Sequence, residues 1–503
     1  MGGDSIASVN EVNGGNIFID TDSLFISDGG DISVGIGGEF EGNPSDGNGT
    51  AGSITINASD TVSVDGTGFI RDTEVFSGIL ADISPDSAGN AGDIEINTAN
   101  LFVTNGAFVS ADILGGANGD GGNINIKASR LIEASGEGGI QANVFQNAVG
   151  NGGNLTLETE TLIVRDDSQV GVSTFGDGNA GNLNITATES INLSGANEEN
   201  TFRSGLFAKS IVGNGRSGNI NIVTGELHID DGAAVEVGNF PSFEESETVP
   251  GTGEPGTIKI TANSINLSNG GRIEAATQSA TGEGANIILQ VADDITLQNE
   301  GLISARALNQ GNGGNLTINS NFIIAFPSGG NGNDIIASAE QGNGGDININ
   351  STLLGIAERS ANPGNASNDI DASSEFSFDG SVTINNPDNN LIQGTVELPS
   401  NVIESEQTVQ QACEANRNAT AQSNLTIEGK GGLTPDPGEP LDSLNTYVNG
   451  ESTSAQAIPE PIETAQGKIQ PARGAIVTDS GELILTAYPT NNTSRLPTTR
   501  RCG

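Results

Sequence analysis

Residues 342–350 read GNGGDININ, and a phrase of this kind recurs along most of the chain. Its core is six residues in the order small, Gly, polar, apolar, polar, apolar, as in GGDINI at 344–349. Twelve copies occur, and they start 28 to 40 residues apart. They begin at Gly14, Ala51, Ala91, Gly121, Gly152, Ala180, Ser217, Pro255, Gly284, Gly313, Gly344 and Asp379. An internal repeat of this period is typical of solenoids and propellers.

Each column of the phrase has a physical interpretation. The fourth and sixth positions are always Ile, Leu or Val, and the fifth is mostly polar. This alternation predicts a β-strand with one buried face. The third position is always Asn, Asp, Ser or Thr, whose side chains cap turns and can hydrogen-bond to the same side chain one coil away.

The second column is Gly in eleven copies and Ala285 in the remaining one. We interpret it as a structural turn column, in which a positive φ or a close approach of two backbones excludes a side chain. Its members are Gly15, Gly52, Gly92, Gly122, Gly153, Gly181, Gly218, Gly256, Gly314, Gly345 and Gly380.

Two further apolar segments follow most copies, for example LFVTNG from Leu101 and AFVSA from Ala107. We therefore predict three short strands per repeat, separated by polar, Gly-rich corners. Propeller blades usually have four strands and aromatic signatures, but aromatic residues are only 4 % of this chain. Stacked coils align like residues with like and need few aromatic side chains. The sequence predicts an all-β fold, a parallel β-helix of about twelve repeats over residues 1–385.

The remainder of the chain differs in composition. We predict a segment that closes the helix at 386–410, then a C-terminal region at 411–503 with a Pro- and Gly-rich linker at 434–461. Cys413 and Cys502, the two cysteines of the chain, bracket this region. In an oxidising compartment they can form a disulfide; otherwise they are free thiols, and the sequence leaves both alternatives open.

The charge of the chain excludes some partners. Its formal net charge of −46 argues against nucleic acid and anionic lipid, because their phosphates would be repelled. No apolar run approaches the ~20 residues of a membrane-spanning helix. Met1 is not followed by a signal peptide, and the opening residues begin within a repeat, so we expect a fragment or a remnant of a longer exported protein.

Several stretches resemble the filamentous-haemagglutinin-like exoproteins common in cyanobacteria. They include GNGGNLTINS at 311–320, NPDNNLIQGTVELPSNVIE at 386–404, the Cys413-containing stretch that begins at Gln410, GELILTA at 481–487 and the near-terminal Cys502. The resemblance spans essentially the whole chain. It implies a non-enzymatic, secreted or cell-surface fibrous protein, exported by two-partner secretion through an outer-membrane β-barrel transporter and associated with adhesion to glycans or cell surfaces.

Some residues suggest other chemistry. GGNGNDIIA at 329–337 fits the nonapeptide of calcium-binding β-rolls, with Asp334 as a ligand. The next nine residues break that pattern, so we expect Asp334 in the corner before a third strand, in register with Gly106, Gly271 and Gly301. Asp334 thus remains a weak calcium candidate, and we predict no other metal site and no cofactor.

A catalytic site would need converging groups. The carboxylate pairs Asp166–Asp167 and Asp230–Asp231 fall in predicted corners, and Asp293–Asp294 precedes a second strand. His228, the only histidine, lies between apolar residues on a strand and is expected to face outward. We therefore predict no enzyme and no catalytic residues. The alternative is a carbohydrate-binding or polysaccharide-degrading β-helix protein, which would need a cleft with clustered carboxylates and basic or aromatic sugar contacts.

Overall fold

Alternating aliphatic residues turn inward and build two long sheets of parallel strands. The computed structural model describes residues 14–386, apart from 37, 41–42, 46–47, 71–72, 177, 197–201, 212–213, 240–252, 278–281, 283 and 359–364, and four short strands near the C-terminus. These described residues are all-β and contain no helix. Parallel strands that return to the same sheet in every repeat are compatible with a β-helix, which agrees with the predicted fold class.

The first sheet, sheet A, has fourteen strands. They are Ile17–Ser27, Ile54–Asp65, Ile94–Thr104, Ile124–Ser135, Leu155–Arg165, Leu183–Ser194, Ile220–Asp230, Thr257–Ala262, Ser264–Leu267, Asn286–Val291, Asp294–Leu297, Leu316–Ala325, Ile347–Leu354 and Val382–Asn385. The recurring phrase supplies the start of twelve of these strands, and like residues pair: Ile94 with Ile124, and Ile124 with Leu155.

The second sheet, sheet B, has twelve strands. They are Asp31–Ser33, Gly78–Leu80, Phe108–Ser110, Gly139–Gln141, Gln169–Gly171, Gly205–Ser210, Ala234–Asn239, Arg272–Thr277, Leu302–Ser304, Asp334–Ile336, Ala357–Glu358 and Asp369–Asp371. Asn48–Thr50 pairs in parallel with Ala88–Asn90. Antiparallel hairpins join Gly38–Phe40 to Asn43–Ser45 and Thr67–Ile70 to Thr73–Phe76.

The prediction of three separate strands per repeat is wrong in one respect. The first two predicted strands are usually one long strand of sheet A, as in Ile94–Thr104, with a shift of register in place of a corner. The Oγ1 of Thr98 donates a hydrogen bond to the carbonyl of Asn100 at this shift, at 3.2 Å. Thr159 and Thr224 make the same bond in their own strands. The bulge lets both apolar halves of the strand face the core.

One continuous core of Ile, Val, Leu and Ala side chains runs from Ile26 to Ala372. Its members come from the inward positions of both sheets, such as Ile96 and Val109, which are fully buried. Aliphatic side chains stacked on their equivalents fill this interior without aromatic rings. The low aromatic content of the chain is therefore no obstacle to a continuous core.

The glycine column lies where successive coils approach most closely. A Cβ placed on Gly153 would lie 1.7 Å from the carbonyl oxygen of Gly122, and one on Gly181 would lie 1.8 Å from that of Gly153. None of the eleven glycines has a positive φ. Of the two reasons considered for the column, the observed geometry is therefore the close approach of backbones, because a side chain at positions such as Gly153 and Gly181 would clash with the preceding coil.

The polar third column forms a ladder of side-chain hydrogen bonds, as expected. The backbone N–H of Asn154 donates to Oδ1 of Asn123 at 3.0 Å, and its Nδ2 donates to the same oxygen at 3.1 Å. Asn219 bonds in the same two ways to Asn182. The backbone N–H groups of Ser53 and Thr257 donate to Oδ1 of Asn16 and Asn219 in the preceding coil, but neither side chain has an amide to extend the ladder.

The chain divides into two compact units, Met1–Gly394 and Thr395–Gly503. In the second unit the described strands are Ile462–Thr464 with Gly467–Ile469, and Gly474–Val477 with Leu483–Thr486, each pair antiparallel. The predicted disulfide partners Cys413 and Cys502, the closing segment beyond residue 386 and the linker at 434–461 lie outside the described residues.

Candidate functional site

The outward positions of sheet B form its outer face, and they stack in columns. Phe108, Gly139, Gln169, Gly205, Ala234, Arg272, Leu302 and Asp334 make up one column. Ser110, Gln141, Gly171, Phe207, Glu236 and Glu274 belong to a second. Polar and aromatic groups far apart in sequence are thus brought onto one face.

Two insertions stand at the corner that leads from sheet A into sheet B. The first is the hairpin of Thr67–Ile70 and Thr73–Phe76, and the second runs from Ala196 to Arg203, which form an antiparallel bridge. Both are closed at the base by one backbone bond: Ser77 N–H to the Gly66 carbonyl at 3.0 Å, and Ser204 N–H to the Gly195 carbonyl at 2.9 Å. The two insertions are equivalent additions to coils that otherwise turn in two residues.

The three coils between the insertions have short corners, so a groove remains. These corners contain Asn105–Gly106, Gly136–Glu137 and Asp166–Asp167. A cavity of about 490 Å³ lies on the sheet B side, and one of about 800 Å³ adjoins it over the corners. Glu137 and Asp167 line both cavities. We call the two together the corner groove; it is within the size range of ligand clefts, ~300–1,000 Å³ per pocket.

Aromatic and amide side chains dominate the smaller cavity of the corner groove. It is lined by Phe108, Glu137, Gly138, Gln141, Asp167, Gln169 and Phe202. Phe108 packs edge-to-face on Phe76 of the first insertion, with ring centroids 5.4 Å apart and planes at 89°. Phe202, on the second insertion, is 64 % exposed. The groove therefore has an aromatic group near each of its two walls.

The polar groups of the groove are held in place by neighbouring coils. The Nε2 of Gln141 donates to Oδ2 of Asp112 at 2.6 Å, and that of Gln169 donates to the carbonyl of Arg203 at 3.3 Å. Ser204 Oγ accepts the backbone N–H of Asp167 at 2.9 Å. An amide anchored through one N–H keeps its carbonyl oxygen and a second N–H for another partner.

Asp112, which positions Gln141, belongs to a stacked acid pair. Its backbone N–H donates to Oδ1 of Asp82 at 2.7 Å, and its own Oδ1 accepts the backbone N–H of Asn143 at 2.6 Å. Burial, together with the charge of Asp82, raises the pKa of Asp112 well above its usual range; burial also raises the pKa of Asp82. The pair therefore holds a proton more tightly than exposed aspartates do.

A mixed charge cluster occupies the middle of the outer face. Lys209 Nζ lies 3.1 Å from Oε2 of Glu236, and their side chains are only 19 % and 8 % exposed. Glu236 pairs in register with Glu274. Burial and the neighbouring Glu236 raise the pKa of Glu274, whereas Arg272, Arg306 and Arg203 oppose the rise. Each acid of this cluster has cations near it, which is the pattern of an internal ion network.

Asp334 lies one position beyond the place expected for it. It pairs in register with Leu302, so it begins the strand, and Asn333 takes the corner position beside Gly301. Asn333 fits that corner because its Oδ1 accepts the Gly301 N–H at 3.0 Å and its Nδ2 donates to the Phe326 carbonyl at 2.7 Å. Burial and the charges of Asp369 and Asp371 raise the pKa of Asp334 to about 6.

Within the described residues, no group of three or more acidic, His or Cys side chains is placed to hold a metal ion.

The other acidic pairs lie near the corners and the strand start that were predicted for them from the sequence. Asp166 and Asp167 form a turn with φ of 55° and 64°, and Asp231 has a φ of 50°. Asp293 lies in a bend before the strand that starts at Asp294. His228 is flanked by the buried Leu227 and Ile229, and its Nε2 lies 3.1 Å from Glu226 Oε2 on the exposed side of the strand.

Sequence reasoning missed the corner groove and the charge cluster. The signal for the groove was present: VFSGIL at 75–80 and FRSGLF at 202–207 both place a Phe just before a Ser-Gly that starts a sheet B strand. Arg203, Lys209, Arg272 and Arg306 come from three different coils and lie near Glu236 or Glu274 because sheet B stacks in register.

Comparison of the chain with protein-family models, curated proteins and solved structures gave no match. No helix in the described part of the chain is long and apolar enough to cross a membrane.

Proposed function

We propose that the chain is a non-enzymatic fibrous protein of the cell surface or the extracellular medium, adhesin-like, with a parallel β-helix of about twelve coils. The observation that supports this proposal best is the continuity of the framework. Glycine contacts, asparagine ladders and an aliphatic core repeat from one coil to the next. Such a framework is suited to displaying its corners and insertions at fixed spacing.

The charged groups support a structural role over a catalytic one. Glu236 is bonded to Lys209, and Arg272 Nη1 lies 3.9 Å from Glu274 Oε2. Asp82 and Asp112 accept hydrogen bonds from the next coil. Carboxylates engaged in this way stabilise the stacking of coils. Export through an outer-membrane β-barrel transporter belongs to the same proposal and rests on the resemblance described above.

Labelling of intact cells tests the proposed location. Antibodies raised against the full chain should label non-permeabilised cells of the producing strain or detect the chain in the medium, and particles coated with the chain should adhere to cells more than albumin-coated particles. Deletion of the gene should remove the labelling. Antigen found only after permeabilisation, or equal adhesion of both kinds of particle, contradicts the proposal.

A second candidate function, carbohydrate binding, is favoured by one specific observation. The corner groove combines phenylalanine rings with anchored amides and carboxylates in a cleft of ligand size. The two functions are compatible, because an adhesin needs a surface that recognises something.

A further inference from the structure

We propose that the corner groove binds an uncharged oligosaccharide through Phe108, Phe202, Gln141 and Gln169. The inference deepens the proposed surface function and rests on it for its biological setting only. Four properties of the groove favour such a ligand: its walls, its floor, its polar groups and its charge.

The walls suit the faces of sugar rings. Pyranose rings present C–H groups that pack on aromatic faces, whereas their hydroxyls need hydrogen-bond partners at the edges. Phe202 projects from the second insertion with 64 % of its surface exposed, and Phe108 is braced by Phe76 of the first. Four coil intervals separate the insertions, which is roughly 19 Å at the ~4.8 Å spacing of strands. The groove is long enough for a chain of sugars rather than a single ring.

The floor is open because it is made of small residues. Gly106, Gly136 and Gly138 line the corners, and Gly139 follows in sheet B. A Cβ on Gly139 would lie 2.1 Å from the carbonyl oxygen of Gln169 in the next coil, and one on Gly138 would lie 2.2 Å from that of Ala107 in the preceding coil. The close contact between coils, which requires glycine, thus also leaves space between the aromatic walls.

The polar groups are fixed before any ligand arrives. Gln141 is anchored on Asp112 and Gln169 on the Arg203 carbonyl, so each amide has a set orientation with capacity to spare. Asp167 is held by Ser204 through its backbone. Amides and carboxylates that accept and donate at fixed points are suited to sugar hydroxyls, and their preorganisation lowers the entropic cost of binding.

The charge of the groove selects against anionic ligands. None of the described residues that line either cavity is Lys or Arg, whereas Glu74, Glu137, Asp166 and Asp167 are all among them. A sulfated or uronic-acid chain would meet Glu74, Glu137 and Asp167 without a compensating cation from the lining, whereas Asp166 is already paired with Arg165. The fit is therefore to a neutral glycan.

Calorimetric titration of the full chain with defined oligosaccharides tests the inference. The probes are cellohexaose, maltohexaose and chitohexaose as neutral chains, and hexagalacturonate as an anionic chain of equal length. We expect at least one neutral probe to bind and hexagalacturonate not to bind. Phe202→Ala should weaken binding about tenfold, and Phe108→Ala by a similar factor, as for truncated aromatic contacts at interfaces.

Phe378→Ala is the matched control, because Phe378 is 80 % exposed and does not line the groove. Phe202 is exposed, so its variant is expected to fold even if Phe108→Ala does not, and circular dichroism checks both. The inference is overturned if no neutral probe binds, if hexagalacturonate binds more tightly, or if Phe202→Ala binds as the unmodified chain does.

The surface role and the oligosaccharide-binding groove can be contradicted independently of each other. Surface labelling without oligosaccharide binding overturns the groove inference alone. Oligosaccharide binding by a chain found only inside cells overturns the surface role alone.

Discussion

The Oδ1 atom of Asn154 accepts two hydrogen bonds from Asn182 in the next coil, one from the backbone N–H at 2.9 Å and one from Nδ2 at 3.2 Å. The side chain of Asn154 is itself bonded to Asn123. One residue thus joins three successive coils. Exposed bonds of this kind are individually weak but recur along the stack, so their loss should be measurable at a single coil.

Asn154→Ala should lower the free energy of unfolding by about 1 kcal/mol, because it removes three side-chain bonds that water replaces only in part. The measurement is urea denaturation followed by circular dichroism. Asn348→Ala is the control, since Asn348 is an exposed asparagine of sheet A outside this column. Equal denaturation midpoints for the two variants would count against a stabilising ladder.

Gly153→Ala should be more damaging than the loss of an asparagine. Its Cβ would lie 1.7 Å from the Gly122 carbonyl oxygen, so the coils must separate, at a cost of about 1–3 kcal/mol or more. The same change at Gly15 is the control from the same column, because nothing lies within 4 Å of its Cβ position. Thermal unfolding measures both, and a Gly153→Ala chain as stable as Gly15→Ala would show that the column is not a packing requirement.

Lys209→Met should leave Glu236 buried beside Glu274 without its cation and cost about 3 kcal/mol of stability. The double variant Lys209→Met with Glu236→Gln should recover part of that loss. The exposed pair of Lys127 and Glu158, 3.3 Å apart, is the comparison, and Lys127→Met there should cost less than about 1 kcal/mol. Additive effects at Lys209 and Glu236 would refute a coupled network.

Asp334→Asn should stabilise the protein in a pH-dependent way. Burial and two acidic neighbours raise the folded-state pKa of Asp334 from its ordinary 3.8 to about 6, so its contribution is fully present below pH ~3.8 and is lost as the pH rises through 6. The variant avoids that loss, which is at most about 3 kcal/mol. The difference in Tm between variant and unmodified chain should grow from pH 4 to pH 7 and then level off; a constant difference would disprove this.

The periodic features of the fold were predictable because every repeat follows the same local sequence pattern. The inward Ile and Leu positions, the polar ladder and the corner turns at Asp166–Asp167 follow from alternation and turn preference in a single repeat. The bulge at Thr98 was not predictable in this way, because a threonine hydroxyl that bonds two residues ahead resembles an ordinary corner signal.

The candidate site was harder because it depends on register between coils. Phe108 and Phe202 are 94 positions apart, and Lys209, Glu236 and Glu274 come from three repeats of unequal length. Only the pairing of sheet B determines which outward residues become neighbours. Asp334 illustrates the same point: extra residues before Asn333 shifted it by one position relative to the aligned motif.

The corner after each long strand of sheet A has a practical consequence. Coils with two-residue corners and coils with insertions of eight or ten residues have equivalent strands on either side, and a backbone bond from Ser77 or Ser204 closes the base of each insertion. Foreign loops grafted between Gly66 and Ser77 or between Gly195 and Ser204 would therefore be displayed at steps of about 4.8 Å per coil. The distance between two grafted epitopes is therefore set by the number of coils that separate the two graft sites.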